Sequence, residues 1–162
     1  MGAKRLTAEE IEAFFSDREK RLPAAPAWRD HSSRVGEQKA RLPIEANGAI
    51  SQIELEMTLK SSDREYLVAV LIAPPCIARM CIGLDVEHNN RITGEAIEGA
   101  HFHDWSMNRH LPARVAASMP YCVPLPAEIE GRDAAFTWFL DRVGIESPGW
   151  LPVRWPDQGG LF

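Results

Sequence analysis

Residues 53–60 read IELEMTLK, in which apolar and polar side chains alternate without interruption. Alternation with a period of two is typical of a β-strand that has one buried and one wet face. Ile53, Leu55, Met57 and Leu59 are therefore predicted to face a core, while Glu54 and Glu56 are predicted to be solvated. The segment predicts a sheet of amphipathic strands.

The residues around this strand predict an antiparallel meander. Asn47-Gly48, immediately before it, suits a tight hairpin turn, so 39–45 is predicted as the partner strand. A turn over 61–64 leads into the apolar run 66–73, predicted as a central strand. Pro74-Pro75 ends that run, and 76–87 is predicted as a fourth strand. Connections this short favour antiparallel neighbours.

Two helices are predicted to cover the sheet. Thr7 and Glu10 form a capping-box pattern, and apolar residues then recur at helical spacing, which predicts a helix over 8–21 that ends before Pro23. Asp133 can cap a second helix over 133–143 that Gly144 closes. The predicted fold class is α+β, an antiparallel sheet of about four or five strands with an N-terminal and a C-terminal helix.

The chain has 162 residues, the size of one domain, and no internal repeat, so 1–162 is interpreted as a single domain. The sheet and a histidine-rich block occupy 39–104. The proline-rich stretch 146–162 is predicted to be an irregular tail. Its tryptophans are expected to pack onto the body, with an exposed recognition arm as the alternative.

Charge and composition restrict the partners. The net charge is −5, with nine Lys/Arg against seven Asp/Glu in residues 1–41 and nine against sixteen in 42–162. An acidic body argues against duplex nucleic acid, because phosphate contacts supply most non-specific affinity. No apolar run reaches the roughly 20 residues of a membrane span, and the N-terminus does not resemble a signal peptide, so a cytoplasmic location is expected.

The three cysteines fit that expectation, since they are interpreted as small buried hydrophobic residues. Cys76 and Cys81 are five apart, which on a regular strand places them on opposite faces. Cys122 has no partner in this interpretation.

Four of the five histidines fall between positions 88 and 110. On a strand, His101 and His103 leave the same face about 6.5–7 Å apart. His88 is predicted at the end of the fourth strand, close to the pair if the 89–99 connection returns beside that strand. His110 is the doubtful member, because Pro112 limits any helix after His103.

Three interpretations of His88, His101 and His103 remain open. They can bind Zn²⁺ or another divalent transition metal. They can work without metal as an acid and a base, since histidine titrates near neutral pH. They can also be structural, hydrogen-bonded to the backbone.

The block HNNRITGEAIEGAHFH, residues 88–103, resembles the signature of an uncharacterised family of small bacterial and phage proteins. The shared pattern is His-x-Asn-Lys/Arg-Ile/Leu-x-Gly-x-x-Ile-x-Gly-x-His-Ile-His, with preceding strands and a short C-terminal helix. The resemblance covers roughly residues 50–145. The family usually continues Ala-Thr-Glu-Arg, whereas this chain has Asp104 to Arg109 instead. The family has no established activity. The resemblance therefore implies that residues 88–103 form one functional or structural unit, but it implies no particular reaction.

Two functions are compatible with these features. In the first, the protein acts on a phosphate-containing or nucleotide substrate, with His101, His103 and His88 as catalytic residues. Asn90, Arg91 and Arg109 are then the predicted substrate-binding residues. In the second, the protein is a non-enzymatic acidic module that binds a protein partner, in the manner of an inhibitor or antitoxin, and the histidines are structural.

Overall fold

A computed structural model of the chain describes residues 4–73 and 76–156. It is α+β, as predicted, and its main feature is a seven-stranded antiparallel sheet in the order β1-β2-β3-β4-β5-β8-β9. The strands are β1 Arg29–Asp30, β2 Glu37–Ala46, β3 Ala49–Lys60, β4 Asp63–Ile72, β5 Cys76–Ile82, β8 His101–Asp104 and β9 Val123–Pro124. A separate two-stranded hairpin consists of β6 Glu87–Asn89 and β7 Ala96–Glu98.

The predicted meander is confirmed for β2 to β5, which pair with their sequence neighbours. Asn47 and Gly48 both have positive φ, 53° and 73°, as the tight hairpin requires. Ile53, Leu55, Met57 and Leu59 of β3 are buried as predicted, with exposures of 0–2%. In β4, whose apolar run predicted a central strand, burial alternates as well. Leu67, Ala69 and Leu71 are buried, so only one face of β4 belongs to the core.

The sheet has more strands than the four or five predicted. β1 and β9 have two residues each and lie at the two edges, and such short strands carry no periodic signal. The fourth strand was predicted to run to Glu87, but β5 ends at Ile82, before Gly83 with φ 153°. His88 therefore lies on the separate hairpin and not at the end of a sheet strand.

The helices are α1 Ala8–Ser16, α2 Trp105–Asn108, α3 Ala113–Ala116 and α4 Gly131–Val143. The capping box of α1 is present, but the helix ends five residues before the predicted position 21. Its C-terminal carbonyls are bound by the side chain of Lys20, and Lys20 and Arg21 instead form bridges to Ile145 and Glu45.

The C-terminal helix begins at Gly131 rather than at position 133, with Glu130 as its N-cap residue. Asp133 is not the cap; it accepts a hydrogen bond from Trp155 Nε1 at 3.0 Å. Gly144 closes the helix with φ 75°, as predicted. The buried side chains of this helix pack against the face of the sheet to which Phe102 of β8 contributes. The ring of Phe102 lies 6.0 Å from that of Phe139 in the helix.

The tail packs onto the body as far as it is described. Trp155 is 5% exposed, and Trp150 Nε1 donates to the carbonyl of Leu22. These contacts oppose the exposed-arm alternative for residues 146–156, while 157–162 lie outside the described residues. No helix within the described part of the chain is long and apolar enough to cross a membrane.

Candidate metal centre

Strand pairing positions the site on the sheet face opposite α4. β8 pairs with β5 so that His101 lies beside Cys81 and His103 lies beside Arg79. The side chain of Phe102, between the two histidines, points into the core and is 1% exposed. The predicted common face of His101 and His103 is thus present, and β5 adds a cysteine and an arginine to it.

The hairpin β6–β7 brings His88 over this face. The ring centroids of His88 lie 4.6 Å from His103 and 5.7 Å from His101, and His101 and His103 are 5.0 Å apart. The three histidines therefore form one cluster. His101 and His103 are buried, with exposures of 3% and 0%, whereas His88 is half-buried.

Each ring in the cluster binds a backbone carbonyl through one nitrogen. His88 Nε2 lies 2.7 Å from Pro120 O, His101 Nδ1 lies 2.8 Å from Gly99 O, and His103 Nδ1 lies 2.7 Å from Met119 O. A carbonyl can only accept, so each of these nitrogens donates its hydrogen. The other nitrogen of each neutral ring then carries a lone pair, which can bind a metal or a proton.

Cysteine sulfur completes two groups of possible metal ligands. The ligand atoms of Cys81, His101 and His103 lie within 4.8 Å of one another, and so do those of His88, His103 and Cys122. Ligands of a tetrahedral zinc ion are about 3.3–3.8 Å apart, as follows from bond lengths of about 2.0–2.3 Å. The groups can therefore hold a metal after their ligand atoms approach one another by at most about 1.5 Å, and His103 belongs to both groups.

Burial favours the uncharged forms of His101, His103 and Cys81. It lowers the pKa of His103 to about 3, with a further contribution from the Arg79 guanidinium, and it also lowers the pKa of His101. Burial raises the pKa of the Cys81 thiol to about 11. Neutral imidazole is the form that binds metal ions.

Arg79 is the cation nearest to the histidines. Its Nη2 lies 3.3 Å from His103 Nε2, and its buried Nε has no hydrogen-bond partner. No carboxylate pairs with it among residues 4–73 and 76–156. The guanidinium thus competes for the lone pair of His103 and repels a cation, but it also offers a site for an anion.

The segment 119–122 closes the site. Met119 has φ 47°, a conformation that non-glycine residues adopt rarely. Its carbonyl accepts from His103, the next carbonyl accepts from His88, and Cys122 follows two residues later. Two carbonyl groups and one thiol of this short segment therefore lie next to the histidines.

The predicted substrate-binding residues lie elsewhere. Asn90 is buried in the β6–β7 turn, where its Oδ1 accepts from the amides of Ile92 and Thr93. Arg91 is exposed in the same turn. Arg109 pairs with Glu12 and lies over the ring of Trp105. His110 is exposed, with its ring 6.4 Å from that of Tyr121.

Sequence reasoning missed Arg79, Cys81 and Cys122 as neighbours of the histidines. A register shift between Leu71 and Ile72 leaves both Ile77 and Ala78 buried. Cys76 and Cys81 would face opposite sides on a regular strand, as predicted, but this bulge breaks the alternation between them. Arg79 and Cys81 flank the buried Met80, and this alternation predicts that both side chains lie on the sheet face opposite the core.

Comparisons of the chain with models of known protein families, with curated proteins and with solved structures returned no match.

Proposed function

We propose that this protein binds a divalent transition metal, Zn²⁺ in the first instance, through His103 and one or both of its flanking pairs, His88 with Cys122 and His101 with Cys81. The observation that supports this most strongly is the set of three carbonyl contacts. Histidines that bind metals usually donate their other ring N–H to a carbonyl or carboxylate, which fixes the tautomer and the ring orientation. All three clustered histidines have this arrangement.

The chemistry of the ligands favours zinc over magnesium or calcium. Imidazole and thiolate bind zinc well, whereas magnesium and calcium prefer oxygen ligands. A buried ion would connect the hairpin β6–β7, the sheet strands β5 and β8 and the segment 119–122. Its role in this proposal is to hold these three parts together, which fits the exposures of only 3% and 0% for His101 and His103.

Zinc titration of the chelator-stripped full chain tests the proposal. We expect one bound ion, and His103→Ala is expected to reduce the affinity at least about a hundredfold because both ligand groups lose their shared member. His110→Ala is the matched control, since this histidine is exposed and outside the cluster. The proposal fails if His103→Ala binds zinc as well as His110→Ala does.

Two further variants identify the pair that completes the site. Cys122→Ser removes a ligand of one group, and Cys81→Ser removes a ligand of the other. A large loss of affinity in one variant alone assigns the ion to that group. A large loss of zinc affinity in both variants means that Cys81 and Cys122 both bind the ion.

A second candidate follows from the half-buried Arg79, whose guanidinium faces His103 without a carboxylate partner in the described parts of the chain. In it the cluster binds a phosphate-containing substrate, and His101 and His103 act as acid and base. This candidate predicts that Arg79→Gln abolishes phosphate binding, whereas the metal proposal predicts tighter zinc binding for the same variant.

A further inference from the structure

A groove on the opposite side of β8 from the histidines lies between α1, α2 and α4. Its volume is about 370 Å³, within the range of small-molecule sites. Phe102 and Asp104 border it, whereas His101 and His103 alternate with them along β8 and point to the other face. The groove is thus separate from the proposed metal centre.

Aromatic rings form one wall of the groove. The half-buried Trp105 stacks on Phe15, with ring centroids 6.4 Å apart and planes at 25°. The guanidinium of Arg109 lies 5.0 Å from the Trp105 ring. A ring and a guanidinium in this arrangement present a flat apolar surface bordered by hydrogen-bond donors.

Positive charge exceeds negative charge in the groove, although the chain as a whole carries −5. Arg18, Arg109 and Arg142 line it together with Glu12 and Asp104. Arg109 pairs with Glu12, and Arg142 Nη2 lies 3.1 Å from Asp104 Oδ2. Arg18 donates to the carbonyl of Asp141 at 3.3 Å, and it pairs with no carboxylate in the described parts of the chain. One guanidinium is therefore left to bind an anion.

We propose that this groove binds a small molecule in which a flat ring carries a phosphate or carboxylate group. The ring would stack against the wall formed by Phe15 and Trp105. The anionic group would receive hydrogen bonds from Arg18, whose planar fork of N–H donors matches both anions. This inference is independent of the metal proposal, because it uses none of the same side chains.

Calorimetric titration of the full chain, at one fixed ionic strength, tests the proposal. The ligands are AMP for a ring with a phosphate, indole-3-acetate for a ring with a carboxylate, adenosine for a ring alone and inorganic phosphate for an anion alone. At least one of the first two is expected to bind about tenfold or more tightly than both of the last two. The one that does so identifies the anion. The proposal is overturned if neither exceeds the single-feature ligands by that factor.

Two variants connect the binding to the groove. Arg18→Gln removes the guanidinium proposed to bind the anion, and Trp105→Leu removes the stacking wall. Each is expected to weaken the preferred ligand at least about fivefold, while Arg64→Gln, an exposed arginine outside the groove, leaves it unchanged. Circular dichroism checks that each variant is folded. Wild-type affinity in a folded Arg18→Gln chain overturns the proposal.

Discussion

Arg79 contributes the largest electrostatic opposition to a metal ion in the histidine cluster. Two unit charges 4 Å apart interact by about 4 kcal/mol at an effective dielectric constant of 20. Its guanidinium also occupies the lone pair of His103 that a metal would need, at 3.3 Å. Arg79→Gln removes the charge while keeping a polar side chain.

We expect Arg79→Gln to bind zinc at least about tenfold more tightly than the wild-type chain, measured by competition with a chromophoric chelator. Arg41→Gln is the control, because this arginine also lies on a strand of the sheet but pairs with Glu56. Weaker zinc binding by Arg79→Gln than by Arg41→Gln would contradict the metal proposal.

Lys20 is a buried cation whose pKa gives a second prediction. It is 0% exposed, its Nζ donates to Phe14 O at 2.6 Å and to Asp17 O, and burial lowers its pKa to about 8. The unfolded chain keeps the proton up to about 10.5, so it binds more protons than the folded chain between these values. Stability contributed by this residue therefore increases as the pH rises through that window.

The difference in unfolding free energy between wild type and Lys20→Met isolates this contribution from other groups that titrate there. It should change in favour of wild type by on the order of 2 kcal/mol between pH 7 and pH 10, and should stay constant between pH 5.5 and pH 7. Urea unfolding at each pH measures it. A difference that is flat from pH 7 to pH 10 would show that Lys20 keeps an ordinary pKa.

The hairpin β6–β7 is the element that places His88 in the cluster. Asn90 orders its turn, because the carboxamide oxygen accepts from two amides while its backbone pairs with Glu95 and Gly94. Asn90→Ala should therefore lower stability by about 1–2 kcal/mol and weaken zinc binding several-fold through His88. Melting curves and zinc titration of the same protein test both effects.

Asn89→Ala is the matched control, since Asn89 is the adjacent amide residue and is exposed. It should leave stability within about 0.5 kcal/mol of wild type. Equal behaviour of the two variants would mean that Asn90 does not order the hairpin.

Strands were predictable wherever the alternation was long. The side chains of β3 and the turn at Asn47-Gly48 identify a hairpin from local chemistry alone. The edge strands β1 and β9 are only two residues long, and the bulge in β5 changes the face of Cys76 without a local signal. Their positions depend on tertiary pairing, which a single sequence does not display.

The site was predictable in part for the same reason. The His-x-His spacing places His101 and His103 on one face of any strand. Cys122 comes from a distant segment, and Arg109, close to the block in sequence, lies on the other side of the sheet with Glu12. Proximity in sequence therefore did not predict which polar residues lie next to the histidines.

A metal that binds only the folded chain stabilises the protein as a whole. Zinc at 100 times its dissociation constant contributes about 2.7 kcal/mol, which for a chain of this size corresponds to an increase in Tm of roughly 5–10 °C. Calorimetry with and without zinc measures the shift, and EDTA should reverse it. The same zinc addition to His103→Ala should raise its Tm by no more than about 1–2 °C, and a shift there equal to wild type would place the ion elsewhere.

The packing of the whole chain also bears on the alternative of a protein-binding module. Tryptophans near the C-terminus favoured that hypothesis as an exposed surface, yet Trp155 is buried and Trp150 donates to Leu22 O. That support is therefore removed, and the module remains a prediction that capture of a specific partner would have to establish.

X-ray absorption spectroscopy at the zinc edge of the stoichiometrically loaded protein identifies the ligand atoms and so tests whether the histidines and cysteines bind the ion. The cluster predicts imidazole nitrogen at about 2.0–2.1 Å together with at least one sulfur at about 2.3 Å. The sulfur shell should weaken or disappear in the cysteine variant that loses zinc affinity. A spectrum of the wild-type protein with oxygen and nitrogen ligands alone would contradict zinc binding by the histidine and cysteine side chains.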